Sequence, residues 1–174
     1  NAVGFAGTNI YMTVGEYGYV TRGIGYGQSI DPTWTPMNLR EDRFEPATGQ
    51  VNTEQSTYGE NGQQFNDVVY SPYLDVWSMV GTAGSIFVGP GIGTSVFTSV
   101  TSNSIQSINS VAASPEGLIA VGNNNTIRVS ANGQGWTSIS IAGVGGQNLN
   151  KVIYRNGTYA ICGSNGTIIG GDSL

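Results

Sequence analysis

The sequence predicts an all-β chain: an array of four antiparallel units of four strands each, the last incomplete. Three observations predict it. A seven-residue phrase recurs as VGEYGYV from Val14, VGTAGSI from Val80, VGNNNTI from Val121 and CGSNGTI from Cys162, and the last two intervals are both 41 residues. Each unit opens on Asn-x-Val, at Asn1, Asn66, Asn109 and Asn150, and three close on an aromatic–threonine pair, Trp34-Thr35, Phe97-Thr98 and Trp136-Thr137. Short apolar runs alternate with Gly, Asn, Ser and Pro turns, and no segment carries sustained helical periodicity with caps. The units fall at about 1–36, 65–100, 108–141 and 149–174 of a single domain or segment of one, with residues 37–64 as an insert.

The third unit shows each element most plainly. Residues 110–113 make a short strand, and Pro115-Glu116-Gly117 turns the chain with proline presetting φ. Residues 118–121 are an apolar second strand, and Gly122-Asn123-Asn124-Asn125 turns again. In residues 126–129, Ile127 and Val129 alternate with Arg128, and residues 136–141 give a fourth strand. A lone four-stranded meander cannot cover both of its faces, so it must stack on its neighbours. Repeats of this size built that way are propeller blades, and the expected architecture is a β-propeller-like array.

The other units follow the same plan. Second strands such as Val76-Trp77-Ser78-Met79-Val80 are nearly continuously apolar, as expected where both sheet faces are covered. The repeated Gly15, Gly81, Gly122 and Gly163 mark a position needing positive φ or close backbone approach. Three residues on, Gly18, Gly84, Asn125 and Gly166 are the types that tolerate the left-handed region. The chain opens without methionine, and its fourth unit stops before the closing aromatic. Both ends therefore read as cuts in a longer pattern. The open edge of the fourth sheet is expected to be completed by further chain, another subunit or the N-terminal segment.

The pattern Asn-x-Val, Val-Gly-x-x-Gly-x-Ile and Ser-x-Asn-Gly-x-x-Trp-Thr resembles the Asp-box (BNR-type) β-propeller repeats. The best match is Ser130-Ala131-Asn132-Gly133-Gln134-Gly135-Trp136, with Asn132 where the family has Asp. The resemblance covers most of the chain outside residues 37–64. It implies fold rather than activity, since such repeats occur in sialidase-like folds, in photosystem assembly-factor-like propellers and in bacteriophage tail and other virion proteins.

Composition excludes several function classes. With 6 Lys+Arg against 11 Asp+Glu, and a net charge of −5, the chain lacks the clustered cations that nucleic acid or an anionic membrane surface requires. Apolar runs never approach the ~20 residues of a spanning helix, so no membrane insertion is expected. There is no histidine, which removes the commonest general base and metal ligand. Cys162 aligns with Val14, Val80 and Val121 and reads as a small hydrophobe on a buried strand. Sialidase-type chemistry would need an arginine cluster, yet Arg22 and Arg128 fall at different phases of their units. No catalytic residue, cofactor or metal site is expected, since Asp31, Asp75 and Asp172 stand isolated. The sequons at Asn124, Asn156 and Asn165 are accounted for by turn chemistry.

Two groups are candidate binding residues. Tyr17, at the tip of the first recurring turn, could form a rim patch with Tyr19 and Tyr26 for stacking on a sugar. The insert holds Arg40, Arg43, Phe44 and Tyr58 and carries seven of the 17 charged residues, the two arginines among them, and long inter-repeat loops carry function more often than scaffold does. The expected function is that of a non-enzymatic structural or adhesion component of an extracellular particle, a bacteriophage virion protein. Its partners would be other virion proteins or copies of itself. The alternatives are a glycan-binding propeller lectin, with a cell-surface glycan as partner, and a protein-binding assembly factor.

Overall fold

The computed structural model describes residues 2–7, 10–16, 19–24, 33–36, 38–45, 50–56, 64–94, 96–141 and 143–172, with the backbone alone for Ile24 and residues 33–36, 38–45 and 50–56. These residues form seventeen strands in four sheets, with helix limited to 3-10 turns of three residues. The first sheet is a meander of β1 (Ala2–Ala6), β2 (Ile10–Val14), β3 (Val20–Ile24) and β4 (Thr33–Pro36). Next in the chain come β5 (Asn38–Glu45) and β6 (Gln50–Ser56). The second sheet continues through β7 (Phe65–Ser71), β8 (Val76–Gly81), β9 (Ile86–Pro90) and β10 (Val96–Val100). A third meander joins β11 (Ile108–Ser114), β12 (Gly117–Gly122), β13 (Thr126–Ser130) and β14 (Thr137–Ser138). The fourth has three strands, β15 (Leu149–Arg155), β16 (Thr158–Gly163) and β17 (Ile168–Gly171).

Three apolar clusters join the sheets in series. Met12, Val14 and Val20 of the first sheet pack with Phe65, Trp77, Met79 and Phe97 of the second. On the opposite face of the second sheet, Val80, Ile86 and Val88 meet Ile108, Leu118 and Trp136 of the third. Ile119, Val121 and Ile127 then face Leu149, Val152 and Ile161 of the fourth. Hence β8 and β12 are buried at every residue, while β2 and β16 alternate between buried and partly or fully exposed positions over most of their length. The continuous apolar second strands in the sequence thus match the two internal sheets. The four sheets do not close into a ring, and the first and fourth each leave a face uncovered: Val3 is 65% exposed and Ile168 83%.

The repeated glycine is explained by close approach. Gly81 and Gly163 have φ of −162° and −150°, so they are extended and no left-handed backbone is involved. A Cβ on Gly81 would lie 2.1 Å from the Gln64 carbonyl oxygen; on Gly122, 2.1 Å from Ser107 O; on Gly163, 2.5 Å from Asn148 O. Each of those carbonyls accepts the N–H of the residue after the glycine, from Thr82, Asn123 and Ser164. Left-handed backbone falls two and three residues on, at Ala83, Asn124 and Asn165 and at Gly84, Asn125 and Gly166. The expectation for Gly84, Asn125 and Gly166 therefore holds; Gly18 lies outside the described residues. Asn124, Asn156 and Asn165, the first residues of the three sequons, all have φ between 51° and 55°, which supports the turn explanation.

Asn132 closes its turn as an Asx residue. Its Oδ1 accepts from the N–H groups of Gln134 at 2.9 Å and Gly135 at 3.0 Å, while Ser130 Oγ accepts from Gly133 N–H at 2.9 Å. The turn tucks under Trp136, whose Nε1 donates to Gly133 O at 3.1 Å and whose ring is 2% exposed.

The structure differs from expectation in three places. Residues 37–64 are not simply a loop: β5 and β6 form a hairpin, and β5 runs parallel to β10, extending the second sheet to six strands. The second sheet is therefore larger than the expected four. Secondly, of the three expected ways of completing the fourth sheet, the N-terminal segment is removed, because Ala2–Ala6 pairs with β2 in the first. Lastly, Cys162 is exposed, although Val14, Val80 and Val121 in its place are at most 4% exposed. The thiol stands on the uncovered face of the fourth sheet.

Candidate functional site

The inner strands β1, β7, β11 and β15 line one groove, which includes Val3, Phe5, Asp67, Val111, Lys151 and Ile153. What positions their polar side chains is a recurring bulge. In β7, β11 and β15 the pairing register slips at Asn66, Asn109 and Asn150, the first residue of each Asn-x-Val. A bulge releases a residue from the ladder and re-aims its side chain. Asn66 Nδ2 accordingly donates to Ile108 O at 2.8 Å, and Asn109 Nδ2 to Leu149 O at 2.9 Å. Each amide clips its sheet to the first strand of the next.

The middle position of Asn-x-Val carries the charge. Asp67, 5% exposed, accepts from Ser110 Oγ at 2.6 Å, from Val111 N–H at 3.1 Å and from Lys151 Nζ at 2.7 Å, all through Oδ2. Its Oδ1 accepts Val68 N–H at 3.1 Å. Ser110 Oγ in turn accepts Val152 N–H at 3.2 Å. Asp67, Ser110 and Lys151 thus occupy one slot in three consecutive units and link three sheets. The lysine side chain is 53% exposed, so the ion pair itself is partly screened by solvent.

Two arginines grip backbone instead of forming a triad. Arg22 Nη1 donates to the carbonyls of Gly93 and Thr94, ahead of β10. Arg128 donates from Nε to Ser102 O at 2.9 Å and from Nη2 to Asn103 O at 2.8 Å, just after β10. The β-ladder places Arg22 opposite Met12 and Arg128 opposite Ala120, one step apart in phase, so one reaches forward to the second sheet and the other back. The phase difference noted in the sequence is the reason both can hold the same strand.

Two tyrosines are tuned by their surroundings. Burial, then the hydrogen bond from its hydroxyl to Asp75 Oδ1 at 2.5 Å, pushes Tyr70 up to about 12 from 10.0. Burial also raises Tyr159, whose hydroxyl meets Ser114 Oγ on the third sheet; that hydrogen bond works in the opposite direction. A folded-state pKa above the unfolded value means that the native protein holds the proton more tightly. Stability is then fully present below pH 10 and falls as pH rises from 10 toward 12. Alkaline denaturation followed by tryptophan fluorescence is expected to show this decline, and the double variant Tyr70→Phe/Tyr159→Phe is expected to flatten it.

Of the sequence-predicted binding residues, Tyr19 is 54% exposed, its N–H donating to Glu16 O at 3.2 Å. Tyr17, Tyr26 and Tyr58 lie outside the described residues, so the three-tyrosine patch is not seen as a unit. Arg40, Arg43 and Phe44 lie on β5, where Arg40 pairs with Gln55 and Thr98, Arg43 with Asn52 and Phe44 with Val51. The sequence reading missed Asp67 and Lys151. Their signal was available: opposite charges in the same slot of two units.

A scan of protein-family models gives no match to this chain, and no curated protein matches it in sequence. Among the described residues no helix is long and apolar enough to cross a membrane.

Proposed function

We propose that the chain is a non-enzymatic scaffold, a propeller-like arc of blades that presents its rims and its extended second sheet to other proteins. One observation carries this reading: Asp67, Lys151, Arg22 and Arg128 each hold one sheet or connecting segment to another. Such groups are where general acid, base or anion-binding chemistry would be sought. Here the arginines grip backbone carbonyls, Asp67 accepts a backbone N–H of the next sheet, and Lys151 is tied to Asp67. The sparse charge and the abundance of short, turn-linked strands support placement in an extracellular particle, as a structural or adhesion protein of a virion, with other particle proteins or further copies as partners.

Immunogold labelling of purified particles with antibody to this chain tests the assignment. Label on intact particles is expected; antigen confined to the soluble cell fraction would overturn it. A second reading, glycan recognition, draws on the exposed Tyr19. Saturable glycan-array binding that disappears in Tyr19→Ala would replace the scaffold reading with it, and a flat array would remove it.

A further inference from the structure

The ends of the stack expose the two halves of an interface that the molecule already builds three times. At the trailing face of each sheet, the Val of Asn-x-Val packs on the preceding sheet: Val68, Val111 and Val152 are 4%, 4% and 1% exposed. Val3 occupies the same place in the first sheet and is 65% exposed. Trp77, Leu118 and Tyr159 are at most 4% exposed, whereas their counterpart Tyr11 is 38% exposed and rests against Phe5 with ring centroids 5.0 Å apart.

The leading face repeats the contrast. Val80 and Val121 are fully buried, and Ile86 and Ile127 are at most 1% exposed, yet Cys162 and Ile168 in those places face solvent. Ile153 likewise is 53% exposed where Ala112 is 6%. Exposed apolar side chains scattered singly need no explanation, but contiguous ones repeating a buried pattern mark an association surface.

From this continuity with the internal interfaces we propose that the uncovered faces are joined head to tail by a second copy of this chain. The fourth sheet of each copy packs on the first sheet of the other, Ile153, Cys162 and Ile168 against Val3, Phe5 and Tyr11. A heterologous contact of this kind closes into a ring when the rotation fits. Two copies give eight sheets, within the usual four to eight of sheet arrays around a common axis. The inference rests on the stacking alone and stands apart from the particle assignment.

Sedimentation equilibrium of the purified chain tests it. A species of twice the 18.2 kDa chain mass is expected. Val3→Lys and Ile168→Lys each place a charge on an already exposed position, so both are expected to keep the native circular dichroism spectrum and to run as monomers. Mixing the two variants should restore a dimer through the one interface left intact. Tyr73→Lys, at an exposed residue of the β7–β8 turn, should stay dimeric. Cys162 serves as a reporter, with alkylation about tenfold slower in the wild type than in either monomeric variant, because access limits thiol reactivity. A monomeric wild type with freely reactive Cys162 would overturn the proposal. So would a dimer that survives Ile168→Lys, which would mean that first sheets pair with each other, or an open series of larger oligomers.

Discussion

Gly122→Ala is expected to lower the unfolding free energy by about 3 kcal/mol, read from chemical denaturation, whereas Gly135→Ala should change it by no more than about 0.5 kcal/mol. A Cβ on Gly122 would stand 2.1 Å from Ser107 O and 2.9 Å from Ile108 Cα, and neither backbone atom can rotate away. Relief requires shifting the start of β11. That segment carries the fully buried Ile108, accepts Asn123 N–H at 2.9 Å through Ser107 O, and leads into Asn109, which clips Leu149 of the fourth sheet. One methyl therefore disturbs a buried side chain and two hydrogen bonds, each worth about 1 kcal/mol. Gly135 has nothing within 4 Å of the same atom, so it controls for the loss of glycine's backbone freedom. Equal effects at the two sites would refute the close-approach explanation.

Asp67→Ala is expected to cost a further distinct amount, about 3 kcal/mol, because it strands the buried Val111 N–H and leaves Ser110 Oγ only Val152 O, at a long 3.5 Å. Val111 N–H and Ser110 Oγ are buried donors to Asp67, and both lie at the start of the third sheet. Lys151 is half in solvent and tolerates the loss, so the cost is mainly that of the buried donors. Asp67→Asn, which keeps an acceptor oxygen, should recover roughly half of it, and Lys151→Met should cost about 1 kcal/mol. A neutral Asp67→Ala would mean that the slot does not link the sheets.

The repeat made most of the scaffold legible. Asn-x-Val and Val-Gly recur because each unit solves the same packing problem, with an amide that clips, a valine that faces backward and a glycine too close to a carbonyl for any side chain. What differed between units was harder to read. The charged stretch Arg40-Glu41-Asp42-Arg43 looks like a solvated loop by composition, and the pairing of Asn38, Leu39 and Arg40 with β10 is a parallel contact distant in sequence that no local pattern announces. Cys162 was read from its alignment with buried valines, but burial also needs a neighbouring sheet, and the fourth sheet lacks one on that side. Asp67 was hidden inside a motif read as structural. Its role comes from partners distant in sequence, Ser110 and Val111 in the third sheet and Lys151, 84 positions away.

Methyl–methyl nuclear Overhauser contacts in the isotopically labelled protein test the serial stacking most directly. The account predicts cross-peaks linking Val80 and Ile86 to Ile108 and Leu118, and a separate set linking Ile119 and Ile127 to Leu149 and Val152. Strong contacts of Val80 or Ile86 with Val152 or Ile161, bypassing the third sheet, would contradict it.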